Sequence, residues 1–524
     1  MNGADAVLAS ERATRAAVSR ETRTGLGVLG AAVAVGIAGD LLLRSAPWGI
    51  NITVFTFVLV AAIVGMQRWA ETDDVSVGWI PLALGAAALM AWRDSPTLKA
   101  LTLSALALVL ALAMLRARGG HLRLAGLANL ALGALASVAD AAMGTVALLT
   151  RDVRWKELGG GGWPVAIAVL RGTAIGLPLL LVFGLLLSAA DAAFERLLGS
   201  VFGFDLASGM GHVLLAAFIA WLAGGVLRTM VVGSDEPGPE VVRPAGLSLG
   251  MVEVGTALGM LNALFLAFVL VQLPYFFGGV GRVQAAGSAT FSEYARRGFF
   301  ELVTVAGLVL PLLLLADWIV RREKPGHERT FRLLVGTQVA LLFVIMASGI
   351  HRMRLYWGAY GLTELRLYTT AFMLWLGVVF VWFAWTVLRG HRQKFAWGAL
   401  MAAVEMMVLL HVANPDAMIV RVNASRADAA TRFDATYAAR LSADAVPPLL
   451  ATLRAVDDSP TRCHAAERLL ARWEGEGDWR SWSLSRGRAN AAVARHRKEL
   501  QSMSCPVAAS AVAAPLPAGP AVVR

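Results

Sequence analysis

Apolar runs of roughly 18 to 25 residues follow one another along most of this chain, and that repetition leaves few folds open. About 30 Å of hydrocarbon takes about 20 residues of helix at 1.5 Å per residue. Inside lipid each backbone N–H and C=O needs a partner within the chain, and only helices and closed barrels supply one. Of the 524 residues 57% are hydrophobic and 16% charged, against about 25% charged in soluble domains. The expected fold is an all-α membrane protein, a polytopic bundle of about eleven transmembrane helices. The runs lie near 25–43, 48–66, 76–92, 99–115, 164–188, 211–232, 248–273, 298–320, 332–350, 367–388 and 396–413.

Charge orders these runs. The net charge of +11 forms no continuous basic patch interleaved with aromatics, so it reads as topology rather than nucleic-acid binding. Residues 1–24 are polar, with Arg12, Arg15, Arg20 and Arg23 ahead of four spans in 25–115. The first run is long, holds Asp40 and has no small-x-small cleavage site, which reads as an uncleaved span and not a signal peptide. Residues 116–163 connect to seven further spans in 164–413. Within that connection Leu124–Leu149 is long enough to cross, but basic clusters flank both ends, and its polar positions recur every three or four residues. An amphipathic helix lying in the interface fits that pattern. The basic connections then share one side, cytoplasmic by the positive-inside rule, and the C-terminal region falls on the other.

Residues 414–504 read as a small helical extracytoplasmic domain with helix starts near Ser442 and Ser459. The alanine- and proline-rich end, 505–524, reads as disordered. Cys463 and Cys505 are the two cysteines, and an oxidising compartment would let them form a disulfide. No CxxC or Cys/His cluster is present, so neither a metal site nor a cofactor is expected.

Candidate functional residues come in two groups. Glu253, Asn262, Gln272, Glu301 and Glu405 lie in or at the ends of spans, where a charge at the bilayer centre costs about 2.5 to 3.5 kcal/mol and usually has a partner or a task. Glu253 and Glu301 are expected to face the bundle interior. The second group is the stretch "HRMRLYWGAYGLTELRLYTT", which gathers Arg352, Arg354, Arg366, Tyr356 and Tyr360 in one short connection on the outer side, where arginine is scarce. With Arg296 and Arg297 of the preceding outer connection they could grip a phosphate or carboxylate. A turn at Gly358–Gly361 is expected to reverse the chain there. "GLGVLG" at Gly25–Gly30 matches a dinucleotide fingerprint only in letters, because it opens a membrane span.

The motifs "LNALFLAFVLVQLPYFFGG", "FSEYARRGFFELV", "HRMRLYWGAYGLTELRLYTTAF", "NPDAMIVRVNASRA" and "LSADAVPPLL" together resemble a family of bacterial polytopic membrane proteins of unknown function, domain of unknown function 4173 and its relative 4153. The resemblance implies the membrane class and carries over no activity. Three readings follow: a transporter or lipid- and envelope-precursor-handling protein with a midplane cavity; a membrane-embedded enzyme on a lipid-linked substrate; and a non-catalytic scaffold or sensor partner. The partners expected are the lipid bilayer and an anionic lipid or envelope ligand, in the inner membrane of a bacterial cell.

Overall fold

A computed structural model of the chain describes residues 19–71, 78–118, 126–158, 206–233, 248–277, 299–427, 433–455, 459–473, 475, 477–503 and 505; the expected span at 164–188, Arg296, Arg297 and the tail beyond Cys505 lie outside them. Among the described residues there is no strand, and ten helices are long and apolar enough to cross a membrane. The protein is an all-α polytopic membrane protein.

The bundle helices are α1 (Arg20–Leu43), α2 (Ile50–Trp69), α3 (Ile80–Trp92), α4 (Pro96–Ala117), α5 (Leu127–Ala147), α6 (Leu206–Val231), α7 (Met251–Phe277), α8 (Phe299–Ile319), α9 (Pro325–Tyr360), α10 (Glu364–Thr386) and α11 (Phe395–Ala413). α3 has 13 residues, short of the roughly 20 needed for a full crossing. The run expected to cross at 76–92 is thus a shorter helix entered through Pro81. Where helices approach closely, glycine makes room. A Cβ on Gly225 of α6 would collide with the backbone of Ala141 in α5, and one on Gly36 of α1 with the backbone of Ala216 in α6.

Helix ends sort onto two faces. On one face α1 meets α2, α3 meets α4, α9 meets α10, and α11 ends, all beneath the C-terminal helices. The opposite face gathers the first turn of α1, the last turns of α2, α4, α6 and α8, and the first turns of α7, α9 and α11. Basic residues crowd that second face: Arg68, Arg116, Arg154, Arg228, Arg322, Arg332, Arg389 and Arg392 among them.

α5 begins and ends against segments of the basic face, and between them it reaches Trp221, midway along α6. Its first half packs Leu130 and Gly133 on Leu112 and Leu115, the last turns of α4, and on Ala396 at the start of α11. Its second half runs beside Trp221 to Arg228 of α6, and a π-helical turn, Leu148–Asp152, places Asp152 against Arg228 at 3.1 Å. Val153 then packs on Gly25 in α1. By length and composition alone α5 with its π turn counts among the ten, yet its two ends meet helix ends of the same face.

The C-terminal domain comprises α12 (Pro415–Ser425), α13 (Ala435–Ala438), α14 (Val446–Leu453), α15 (Ser459–Trp473), α16 (Leu484–Arg495) and α17 (Arg497–Met503). Ser442 caps the short 3-10 turn before α14 by accepting from the amide of Asp444, as the sequence implied. Leu449, Leu453, Ala465, Leu469 and Val493 form its core. That core is continuous with Leu98, Leu362, Leu367 and Leu410 of the bundle, so domain and bundle share one apolar interior.

Candidate functional site

The arginine-rich stretch resolves into helix termination. α9 runs unbroken for 36 residues to Tyr360 and stops at Gly361, the last residue of the expected Gly358–Gly361 turn, whose φ of 75° favours glycine. A helix end leaves carbonyls without partners and a partial negative charge. Two arginines answer both. Arg366 donates to the carbonyls of Tyr360 (3.2 Å) and Gly361 while lying 4.1 Å over the Tyr356 ring. Arg426, the residue that closes α12, donates to the carbonyls of Trp357 and Gly358. The rings of Tyr356 and Tyr360 meet at a tilt, with centroids 5.0 Å apart. Arg352 is half-buried and Arg354 exposed, two positions apart on α9. The described arginines of this stretch do not converge on one anion site, because Arg366 is committed to backbone.

The span carboxylates do not converge either. Glu253 is exposed and accepts from the amide of Gly250, capping its own helix. Glu301 is exposed on the first turn of α8, and Glu405 is exposed midway along α11. The expectation that Glu253 and Glu301 face the interior is corrected: at helix ends a carboxylate reaches backbone amides or water without being buried. Asn262 and Gln272 are buried in α7, where Asn262 donates to the carbonyl of Leu334 at 2.9 Å and Gln272 accepts from Ser348. These are bonds between α7 and α9.

The chemistry the sequence reading missed sits where bundle and domain join. The α3–α4 connection presents Arg93, Asp94 and Ser95, all buried. Arg93 donates to Asp444 at 3.0 Å and to the carbonyl of His411 at 2.8 Å. Asp444 also accepts from the Asp94 amide at 2.8 Å and the Ser485 hydroxyl at 2.5 Å. Asp94 in turn accepts from Lys99 at 2.6 Å and Arg486 at 2.7 Å. Burial opposes the charge on Asp94, but Lys99 and Arg486 outweigh it and hold its pKa below the usual range. Two carboxylates therefore face three cations, with nearly every lone pair taken. One signal was available: "WRDSP" carries two charges and a serine at the N-cap position between apolar runs, which reads as an ordinary connection until Asp444 and Arg486 arrive from 350 and 392 residues away.

Beside this network Asp416 has no exposed surface. One of its oxygens accepts from the Ser442 amide at 3.2 Å, and the other has no partner. Burial, with Glu364 and Asp444 nearby, pushes its pKa up to about 7. Further out in the domain, Cys463 and Cys505 are joined as a disulfide with Cα atoms 4.9 Å apart. His464 brings a third ligand-type atom within 4.8 Å, but a thiolate is what binds metal, and both sulfurs are bonded to each other.

A family model described as a domain of unknown function, DUF4153, matches residues 80–452, and the chain belongs to that family. No curated protein and no solved structure matches it.

Proposed function

We propose that this member of a family without an assigned activity is a multi-pass protein of a bacterial inner membrane that holds its C-terminal domain outside the cytoplasm as a rigid receptor platform for an envelope component. Its motifs also support kinship with the related 4173 family. The observation that carries the reading is the buried ion network at the α3–α4 connection, which fixes the domain over the bundle. Ionic groups are buried this way at a cost in desolvation; here they set one orientation between two parts that also share an apolar core.

Orientation has two independent supports. Among the described bundle segments, basic residues concentrate on the face opposite the domain, which supports a cytoplasmic assignment of that face by the positive-inside rule. A disulfide persists in an oxidising compartment, which supports placing the domain on the other side. A midplane transport site finds less support, since Glu253, Glu301 and Glu405 lie on exposed faces.

Phosphatase and fluorescent-protein fusions after Arg497 test the reading. Phosphatase activity without fluorescence is expected, and the reverse result would remove the platform from the envelope.

A further inference from the structure

The C-terminal domain carries an open depression of about 540 Å³ lined by Arg440, Arg468, Ala471 and Arg472. Three guanidinium groups share this space, and none has a carboxylate within ion-pair distance among the described residues. Arg468 and Arg472 stand one turn apart on α15, where like charges repel. Arg472 cannot swing away: it donates to the carbonyls of Arg440 (3.2 Å) and Leu441 (2.9 Å) and lies 5.1 Å over the ring of Trp473. The adjacent acid, Glu467, is turned elsewhere, accepting from the Cys505 amide at 3.1 Å and facing His464 at 3.7 Å. No ion pair described on the protein neutralises these cations, and a bound anion would offset their mutual repulsion.

We propose that Arg440, Arg468 and Arg472 form a binding site for a phosphate group, resting on the reading of this domain as a receptor platform. A guanidinium presents a planar fork of donors. The free forks of Arg440 and Arg468, with the Nε and Nη2 of Arg472 that its backbone bonds leave over, suit a tetrahedral anion, whose oxygens accept from several directions, better than a planar carboxylate. The site lies low on the domain. Arg472 donates to the carbonyl of Leu441, beside the turn that carries Asp444 onto the α3–α4 connection, so the site is on the bundle side of the domain. The phosphate is that of an anionic headgroup or of a free envelope solute.

The test uses the full chain in detergent. Native mass spectrometry would follow retention of phosphatidylglycerol against phosphatidylcholine, and calorimetric titration would follow binding of inorganic phosphate. The wild-type protein is compared with the Arg440→Gln/Arg468→Gln and Arg440→Lys/Arg468→Lys variants, both sites being exposed. Selective retention of phosphatidylglycerol that falls at least tenfold in the glutamine variant and less in the lysine variant supports the site with a headgroup as source. Saturable phosphate binding with the same ordering, and no preference between lipids, supports it with a free anion as source. Equal binding by wild type and variants, or none by the wild type, overturns it. If the glutamine double variant aggregates, Arg468→Gln alone carries the same criterion. Absent binding with an extracytoplasmic C terminus defeats this site and leaves the platform; binding with a cytoplasmic C terminus does the opposite.

Discussion

Asp416 shows how one side chain carries a pH dependence. Its folded pKa, about 7, stands above the 3.8 of a free aspartate, so the native state keeps a proton that the unfolded chain has released. Stability contributed by that proton is full below about pH 4 and is lost as pH rises through 7. The change is on the order of 4 kcal/mol, from 1.36 kcal/mol per pKa unit. Asp416→Asn keeps an oxygen for the Ser442 amide and removes the titration. Thermal unfolding at pH 5 and pH 8 should therefore differ less in that variant than in the wild type, and an unchanged difference would place the proton elsewhere. Gln338 makes a second case at this scale. It is fully buried in α9, with neither amide atom partnered, and an unmet buried amide costs about 1–3 kcal/mol. Gln338→Leu should raise the unfolding midpoint in detergent; a lowered one would mean that the amide holds something the interior needs. Neither residue could be singled out from sequence, since their unusual surroundings come from distant segments.

Elements were more legible than residues, for a physical reason. Length and hydropathy decide whether a segment can cross, and nine of the expected runs return as long apolar helices. What the sequence could not reveal was purpose at helix ends. The arginines of "HRMRLYWGAYGLTELRLYTT" looked like an anion site because their carbonyl partners leave no trace in side-chain chemistry. Arg426 lies 69 residues from Trp357, beyond any local pattern. Hydrogen bonds to a charged group are worth about 1.5 to 3 kcal/mol, so Arg426→Met should destabilise the protein by about that amount. Hydrogen exchange should quicken first at Tyr360 and Gly361; uniform exchange along α9 would argue against a capping role. For α5, the contacts of its two ends with one face of the bundle lead us to propose the interfacial placement that its flanking charges suggested. Single cysteines at Asn129 and Thr150, in a Cys463→Ser/Cys505→Ser background, should then label from the same side of sealed vesicles. Labelling from opposite sides would make α5 a span and invert everything after it.

The whole molecule depends on two devices that join what the chain keeps far apart. One is the disulfide, which closes a separation of 42 residues and by loop entropy stabilises the domain by about 4 kcal/mol. The other is the joint between domain and bundle. Asp444 lies at its centre, 6% exposed, accepting from Arg93, Ser485 and the Asp94 amide. Removing one partner from such a buried pair costs about 3–5 kcal/mol, because the other charge stays buried and unpaired. Replacing both with apolar groups of similar volume is often neutral. Asp444→Ala should therefore free the domain from the bundle, and limited trypsin digestion in proteoliposomes should cut it much faster than the wild type. Arg93→Met/Asp444→Leu should recover most of the protection even though it removes the same ion pair. The ordering matters more than either rate. If the double variant is cut as fast as Asp444→Ala, the ion pair itself holds the domain down. If Asp444→Ala is cut no faster than the wild type, the shared apolar core with Leu98, Leu362 and Leu410 suffices, and the platform owes its rigidity to packing rather than to charge.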